Sequence, residues 1–252
     1  MMTLLARPPR VARALRRDRS GLAMMEFALT LPLVLTVGGY GVELSFLSVT
    51  NLRIYQAAAN LADSASRVGT VVGTVTQVSE GDINDVFQGI RLTNDGIQLT
   101  TFGRITLSSL ENVQQSYDTA RVQRIHWQRC LGEKGATAAD ATAFGSHAGA
   151  TTAAAGSDAT VANAGLTKAT GMGDPGKTPV NAPNDSGVMY VEVNYQYRPL
   201  FGTMFVSPQV IHYSQSFVVR DNRDFKQIYN PASSATASKC DLFTKGPGGV
   251  TV

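Results

Sequence analysis

Three histidines, His126, His147 and His212, are the side chains best suited to bind a metal or move a proton. None has a second histidine at helical spacing, so the sequence presents them as isolated surface or core residues. The two cysteines, Cys130 and Cys240, belong to no C-x-x-C or Cys/His pattern, so metal and thiol-redox motifs are not indicated. No Ser/His/Asp, Cys/His or paired-carboxylate arrangement stands out, and the reading is of a chain with no catalytic residue, no metal site and no cofactor. One stretch does match a motif: Gly171-Met-Gly-Asp-Pro-Gly176-Lys177-Thr178 fits the phosphate-loop pattern G-x-x-x-x-G-K-[ST]. That chemistry needs a buried strand before the loop and a helix after it, so that backbone N–H groups converge on phosphates. Here polar low-complexity sequence precedes the loop, while Pro179 and Pro183 follow it, and Pro183 blocks a helix interior. Nucleotide binding is therefore not expected. Asp63-Ser-Ala-Ser66 misses the D-x-S-x-S metal pattern by one residue.

The elements that would position such residues must come from the rest of the 252-residue chain, which is one or two domains' worth. Hydrophobic residues make up 43%, charged residues 16%, and the mean hydropathy is −0.03. That is too apolar for a disordered chain and too mixed for a polytopic membrane protein. The formal charge of +3 is misleading. Residues 1–21 hold Arg7, Arg10, Arg13, Arg16, Arg17 and Arg19 against Asp18, a net +5, and the remainder nets −2. The basicity is a terminal tag, so no nucleic-acid partner is expected, since that role needs a basic face on the body.

Behind this leader, Leu22 to Val42 is an apolar run with no charge over residues 27–42. As a helix it measures about 32 Å at ~1.5 Å per residue, enough to cross a hydrocarbon core of about 30 Å. No second such run exists. Arginines before it, and none close after it, place the N-terminus in the cytoplasm and the remaining chain across the membrane. Glu26 is the anomaly, because an acid near the start of a span is costly unless it snorkels or has a use. A glycine closing a basic leader, with an acid at the fifth position after it, resembles the prepilin-peptidase site of type IV pilin-like proteins. Cleavage would fall between Gly21 and Leu22, making Glu26 and Phe27 residues five and six of the product. The freed ammonium at Leu22 lies one helical turn from Glu26, and the same geometry in a neighbouring subunit would offset both charges. A secretory signal ending at Gly39-Tyr40-Gly41 is the rival, although apolarity continues past it through Leu44, Phe46, Leu47 and Val49.

The helix is expected to continue to Arg67. Leu44, Leu47, Ile54, Ala58, Leu61, Ala65 and Val68 share one face, with Arg53, Gln56, Asn60, Asp63 and Arg67 on others. Pro32 and the Gly38, Gly39 and Gly41 cluster are expected bending points. Residues 82–92 read as a short helix and Asn94-Asp95-Gly96 as a turn. Residues 103–110 alternate around Ile105 and Leu107, and residues 119–130 carry Val122, Ile125 and Trp127 with a phase break that suggests a bulge. Residues 188–198 alternate Val191, Val193, Tyr195 and Tyr197 with Glu192, Asn194, Gln196 and Arg198. Residues 210–219 pair with them, with Ile211, Tyr213, Phe217 and Val219 inward. Strict alternation implies an antiparallel sheet with one wet face, the other covered by the long helix. Between strands, residues 132–187 are 36 parts in 56 Gly, Ala, Ser or Thr, which predicts a flexible excursion that buries little. The fold class is α+β: a transmembrane and amphipathic helix (22–67) on a small antiparallel sheet within an extracytoplasmic domain (68–252), with a Gly/Ala/Thr-rich insertion.

Taken together, the chain resembles the TadE-like pseudopilins of tight-adherence (Flp-type) pilus systems. The resembling parts are the leader with Gly21 and Glu26-Phe27, the Pro32-containing span ending Gly41-Val-Glu43, Ile125-His-Trp127-Gln-Arg129-Cys130, and Arg223-Asp224, Ile228-Tyr-Asn-Pro231 and Cys240 in the tail. The resemblance implies a pilin-like fold and a minor structural subunit, cut by a prepilin peptidase, that helps assemble an adhesive pilus in a Gram-negative envelope. Its partners would be that peptidase, other pilin-like subunits and the inner membrane. The subunit would be single-pass there, with its C-terminal domain periplasmic or within an extracellular pilus. The family supplies no catalytic residue. A membrane-anchored adhesin or unprocessed single-span envelope protein, and a single-span envelope enzyme, are the alternatives. Two cysteines beyond the span, in an oxidising compartment, are expected to form a Cys130–Cys240 disulfide joining the tail to the sheet's edge. The loop from Pro199 to Pro208 carries Leu200, Phe201, Met204, Phe205 and Val206 where a solvated tip would be polar. These either fold beneath the sheet as a satellite core or form an apolar interaction patch.

Overall fold

The computed structural model describes residues 20–150, 160–230 and 235–250. The leader arginines and Pro231 lie outside the described residues. The fold is α+β, and the chain divides into two compact units: residues up to Phe46 with Pro199–Ser207, and Leu47–Arg198 with the chain from Pro208 onward. Helix α1, Ser20–Arg67, contributes to both and is unbroken through Pro32.

In the first unit every residue of α1 from Gly21 to Val42 is exposed except Gly39, which is half-buried. This stretch is long and apolar enough to cross a membrane.

In the second unit α1 is amphipathic, as its spacing predicts. Ile54, Ala58, Leu61 and Ala65 are fully buried, and Arg53, Gln56, Asn60 and Arg67 are exposed. The small side chains of Ala57, Ala58, Ala62 and Ala65 on the buried face give this part of the helix little bulk to accommodate. Its C-terminal carbonyls would be orphans. The buried Arg223 guanidinium satisfies those of Ala65, Ser66 and Val68 at 3.0, 3.1 and 3.0 Å. A hairpin of β1, Thr70–Val72, and β2, Val75–Gln77, follows and was not foreseen from the sequence. Helix α2, Glu80–Thr93, starts at a capping box in which Ser79 and Asp82 each satisfy the other's backbone N–H. A 3₁₀ turn, Asp95–Ile97, occupies the expected Asn94–Gly96 turn, and a single helical turn, α3 (Leu99–Phe102), leads into the sheet.

The sheet has five strands in the order β5-β4-β3-β6-β7, all antiparallel. They are β3 Gly103–Val113, β4 Val122–Leu131, β5 Leu166–Thr167, β6 Ser186–Gln196 and β7 Val210–Val218. The phase break in β4 is a bulge: Ser109 pairs with Trp127 but Leu110 pairs with Ile125, leaving His126 as the extra residue. One face carries Ile105, Leu107, Val191, Val193 and Tyr195 and meets the helices. Tyr213 stacks edge-on with Tyr55, the Tyr195 hydroxyl donates to the Ile97 carbonyl, and the buried Arg129 and Glu80 form an ion pair.

The opposite face is not wet, which corrects the sequence expectation. Thr106, Ser108, Gln128, Glu192 and Asn194 are all buried. Their cover is the Gly/Ala/Thr-rich segment, whose described residues are not a free excursion. Helix α4, Ala138–Phe144, and the stretches around Ala148, Met172 and Ala182 lie on this face. Met172, Ala148 and Ala182 form a second core with Leu110, Ile125, Val188 and Tyr190. The physical reason is twofold. Small side chains let the segment's backbone approach the sheet, and that backbone then supplies the partners that the sheet's polar side chains need. Gln128 donates to the Gly149 carbonyl at 2.8 Å, and Asn194 to the carbonyls of Phe144 and Gly145 at 3.1 and 3.3 Å.

Candidate functional site

The residues singled out for processing lie at the start of α1. Gly21, Leu22, Glu26 and Phe27 are all exposed, and a Cβ added at Gly21 would meet nothing. Glu26 makes no ion pair among the described residues. The second charge in this part of α1, Glu43, behaves differently. It is fully buried, and its carboxylate accepts hydrogen bonds from the backbone N–H groups of Leu200 and Phe201 at 3.3 and 3.1 Å. A carboxylate at the end of an apolar helix is thereby bonded to two of the loop's amides.

In the loop after β6, Leu200, Phe201 and Met204 are exposed, and Phe205 and Val206 are half-buried. Phe201 packs edge-on against Phe205, whose ring lies 6.0 Å from that of Tyr40. Phe205 can sit there because position 39 is glycine: a Cβ at Gly39 would come within 3.1 Å of its ring. Leu35, Thr36, Gly39, Val42, Phe201, Met204 and Phe205 line an open apolar groove of about 470 Å³.

Cys130 and Cys240 are joined in a disulfide, with Cα atoms 4.7 Å apart. The tail runs beside β4 as expected, with Cys130 N–H donating to the Ser238 carbonyl and Gly132 N–H to that of Thr244, at 2.8 and 2.9 Å. Arg104 reinforces it by donating to the carbonyls of Gly132 and Leu242 at 2.7 Å and of Cys240 at 2.6 Å. Burial lowers the Arg104 pKa to about 10, opposed by Asp241.

The histidines are not all isolated, which corrects the sequence reading. His147 and His212 stack, their ring centroids 4.3 Å apart and their planes 30° from parallel. Asp174 and Glu192 complete a group whose potential ligand atoms all lie within 4.8 Å of one another. Sheet register places part of it, since Glu192 pairs with Ser214 and Asn194 with His212. The covering segment brings the rest. The Glu192 carboxylate accepts from the N–H groups of His147 and Ala148 at 2.6 and 3.2 Å, and from the Ser146 hydroxyl. Burial raises the Glu192 pKa above the ordinary carboxylate range, while those three donors and nearby His212 pull it down. Asp174 lies 2.8 Å from His212 Nε2 and accepts from Ser214 at 3.1 Å. The spacing of residues 147, 174, 192 and 212 gives no local motif, so only tertiary pairing could reveal the group. His126 is separate, buried with its Nδ1 2.9 Å from Glu111.

Asp174 belongs to the segment that matches the phosphate-loop pattern. There Met172 and Val180 exchange both backbone hydrogen bonds, Lys177 N–H closes a turn onto Asp174, and Pro179 follows where a phosphate loop needs a helix. Asp63 lies within α1 and pairs with Arg67 at 2.8 Å.

No family model, curated protein or solved structure matches the chain.

Proposed function

We propose that this protein is a single-span, pilin-like structural subunit, a minor pseudopilin of the TadE-like kind, that helps assemble an adhesive pilus. The observation carrying this reading is the division of α1. Its N-terminal half exposes Leu22, Met24, Met25, Phe27, Leu29, Leu33, Val34, Leu35 and Val37, whereas its C-terminal half forms the core of an α+β domain. A contiguous apolar surface of that size requires lipid or other helices around it. Glu26 is the one charge within it, at the fifth position after Gly21. A bundle of such helices supplies that carboxylate with a neighbour's Leu22 ammonium after cleavage. The protein has its N-terminus in the cytoplasm and its disulfide-bonded domain in the periplasm, where oxidation persists.

The groove beside Phe201 and Phe205 supports a second contact, since helix bundling alone leaves the bodies of neighbouring subunits free to rotate. Replacing Phe201 and Phe205 together by Ser is expected to leave the domain folded and reduce pilus assembly. Unchanged assembly would remove the loop from the reading.

The deciding measurement is the mature N-terminus, read by mass spectrometry on protein from the membrane fraction. It is expected at Leu22, and Gly21→Val is expected to abolish the cut by filling the peptidase's small-residue subsite. Glu26→Ala is expected to impair assembly more than cleavage. An intact Met1 sinks the processed-subunit reading in favour of an unprocessed envelope protein. A start at Val42 favours a secreted one.

A further inference from the structure

The group on the covered face of the sheet contains an electrostatic conflict that a cation relieves. The Asn194 side chain is oriented by its neighbours. Its Nδ2 donates to the Phe144 and Gly145 carbonyls, so its Oδ1 turns to His212 as an acceptor, 2.6 Å from Nδ1. Nδ1 must therefore carry a proton. In a neutral imidazole the other nitrogen, Nε2, then holds a lone pair, and it faces the Asp174 carboxylate at 2.8 Å. Lone pair against carboxylate at that distance is repulsive unless a proton or a metal ion lies between them.

The surroundings decide between the two. Glu192, fully buried, adds a second carboxylate, and a second imidazole, His147, stacks on His212. A single proton between His212 and Asp174 offsets one negative charge and leaves Glu192 held by its three hydrogen-bond donors alone. A divalent ion balances both with both imidazoles neutral.

We propose that His147, Asp174, Glu192 and His212 form a binding site for a divalent transition metal of the zinc class. Two imidazole nitrogens and two carboxylate oxygens suit Zn²⁺, whereas Ca²⁺ and Mg²⁺ prefer oxygen ligands alone. Tetrahedral bonds of about 2.0–2.2 Å place ligand atoms roughly 3.3–3.6 Å apart, so separations of up to 4.8 Å need a contraction of up to about 1.5 Å. His147 can supply it, being exposed and carried on a turn rather than on a strand. Asn194 holds His212 from behind, as outer-shell partners of metal-bound histidines do. Four protein ligands leave no open position, so the role is structural. The ion fastens the turn bearing His147 and the hairpin bearing Asp174 to β6 and β7. The inference does not depend on pilus assembly.

The test uses untagged full-length protein in detergent, stripped with a chelator and titrated with Zn²⁺ by calorimetry, with Ca²⁺ as control. Saturable binding of one Zn²⁺ per chain is expected, with no Ca²⁺ uptake and with slower proteolysis within residues 160–180. His147→Ala and Asp174→Asn, both at positions outside the sheet, are each expected to weaken Zn²⁺ binding at least tenfold. Failure to take up Zn²⁺ saturably would overturn the proposal. Uptake unchanged in both variants would overturn it by placing the ion elsewhere.

Discussion

Removing the disulfide by replacing Cys130 and Cys240 together with Ala tests how the tail contributes to stability. The bond spans 110 residues, and the chain-entropy relation gives about 5 kcal/mol at 25 °C for a loop of that length. The native state has its own hold on the tail: the Cys130 and Gly132 amides bond to the Ser238 and Thr244 carbonyls, and Arg104 bonds to the Cys240 and Leu242 carbonyls. The tail should therefore keep its place without the bond, and the loss should come from the freed unfolded chain. Trp127, the chain's single tryptophan, is buried in β4 and reports unfolding of the sheet by fluorescence. With a urea m-value of roughly 2–3 kcal/mol/M, the midpoint should fall by about 2 M. Arg104→Gln separates the mechanisms. If the disulfide acts on the unfolded chain, this substitution costs the same with and without the bond. If the disulfide instead positions the tail, its effect grows when the bond is absent. A loss below about 1 kcal/mol on removing the bond, or strong coupling to Arg104, would refute the reasoning.

Substitutions at two buried arginines, Arg129 and Arg223, probe the helix face of the second unit by the same urea assay. Arg129→Met strands the buried Glu80 carboxylate and should cost about 3–5 kcal/mol, with Glu80→Gln in the same chain recovering part of it; a loss under 1 kcal/mol would show that Glu80 finds another partner. Arg223→Ala removes the donor to three carbonyls at the end of α1 and should cost about 2–3 kcal/mol, while Arg223→Lys, with one compact ammonium, should restore less than half. Amide exchange around Ala65 should accelerate in both Arg223 variants, and unchanged exchange would count against the capping role.

Local pattern was enough for the elements whose cause is local. The 3.6-residue spacing of Ile54, Ala58, Leu61 and Ala65 identified the buried stripe of α1, because a helix turns its face at that period whatever it packs against. The phase break between Ile125 and Trp127 marked the bulge at His126, and the alternation from Val191 to Tyr195 marked β6 and its pairing with β7. The cysteine pair was also legible, since two cysteines allow only one intramolecular bond. Alternation sorts side chains onto two faces but does not say what covers either one. The face bearing Glu192 and Asn194 looked wet because its residues are polar. Only the fold shows a glycine- and alanine-rich segment laid over it, feeding backbone N–H and C=O groups to those side chains. The same holds for Glu43, whose partners lie more than 150 residues away, and for His147, Asp174, Glu192 and His212, which share no sequence window. Their proximity depends on strand register and on the path of the covering segment. Both are set by long-range packing, which no local spacing encodes.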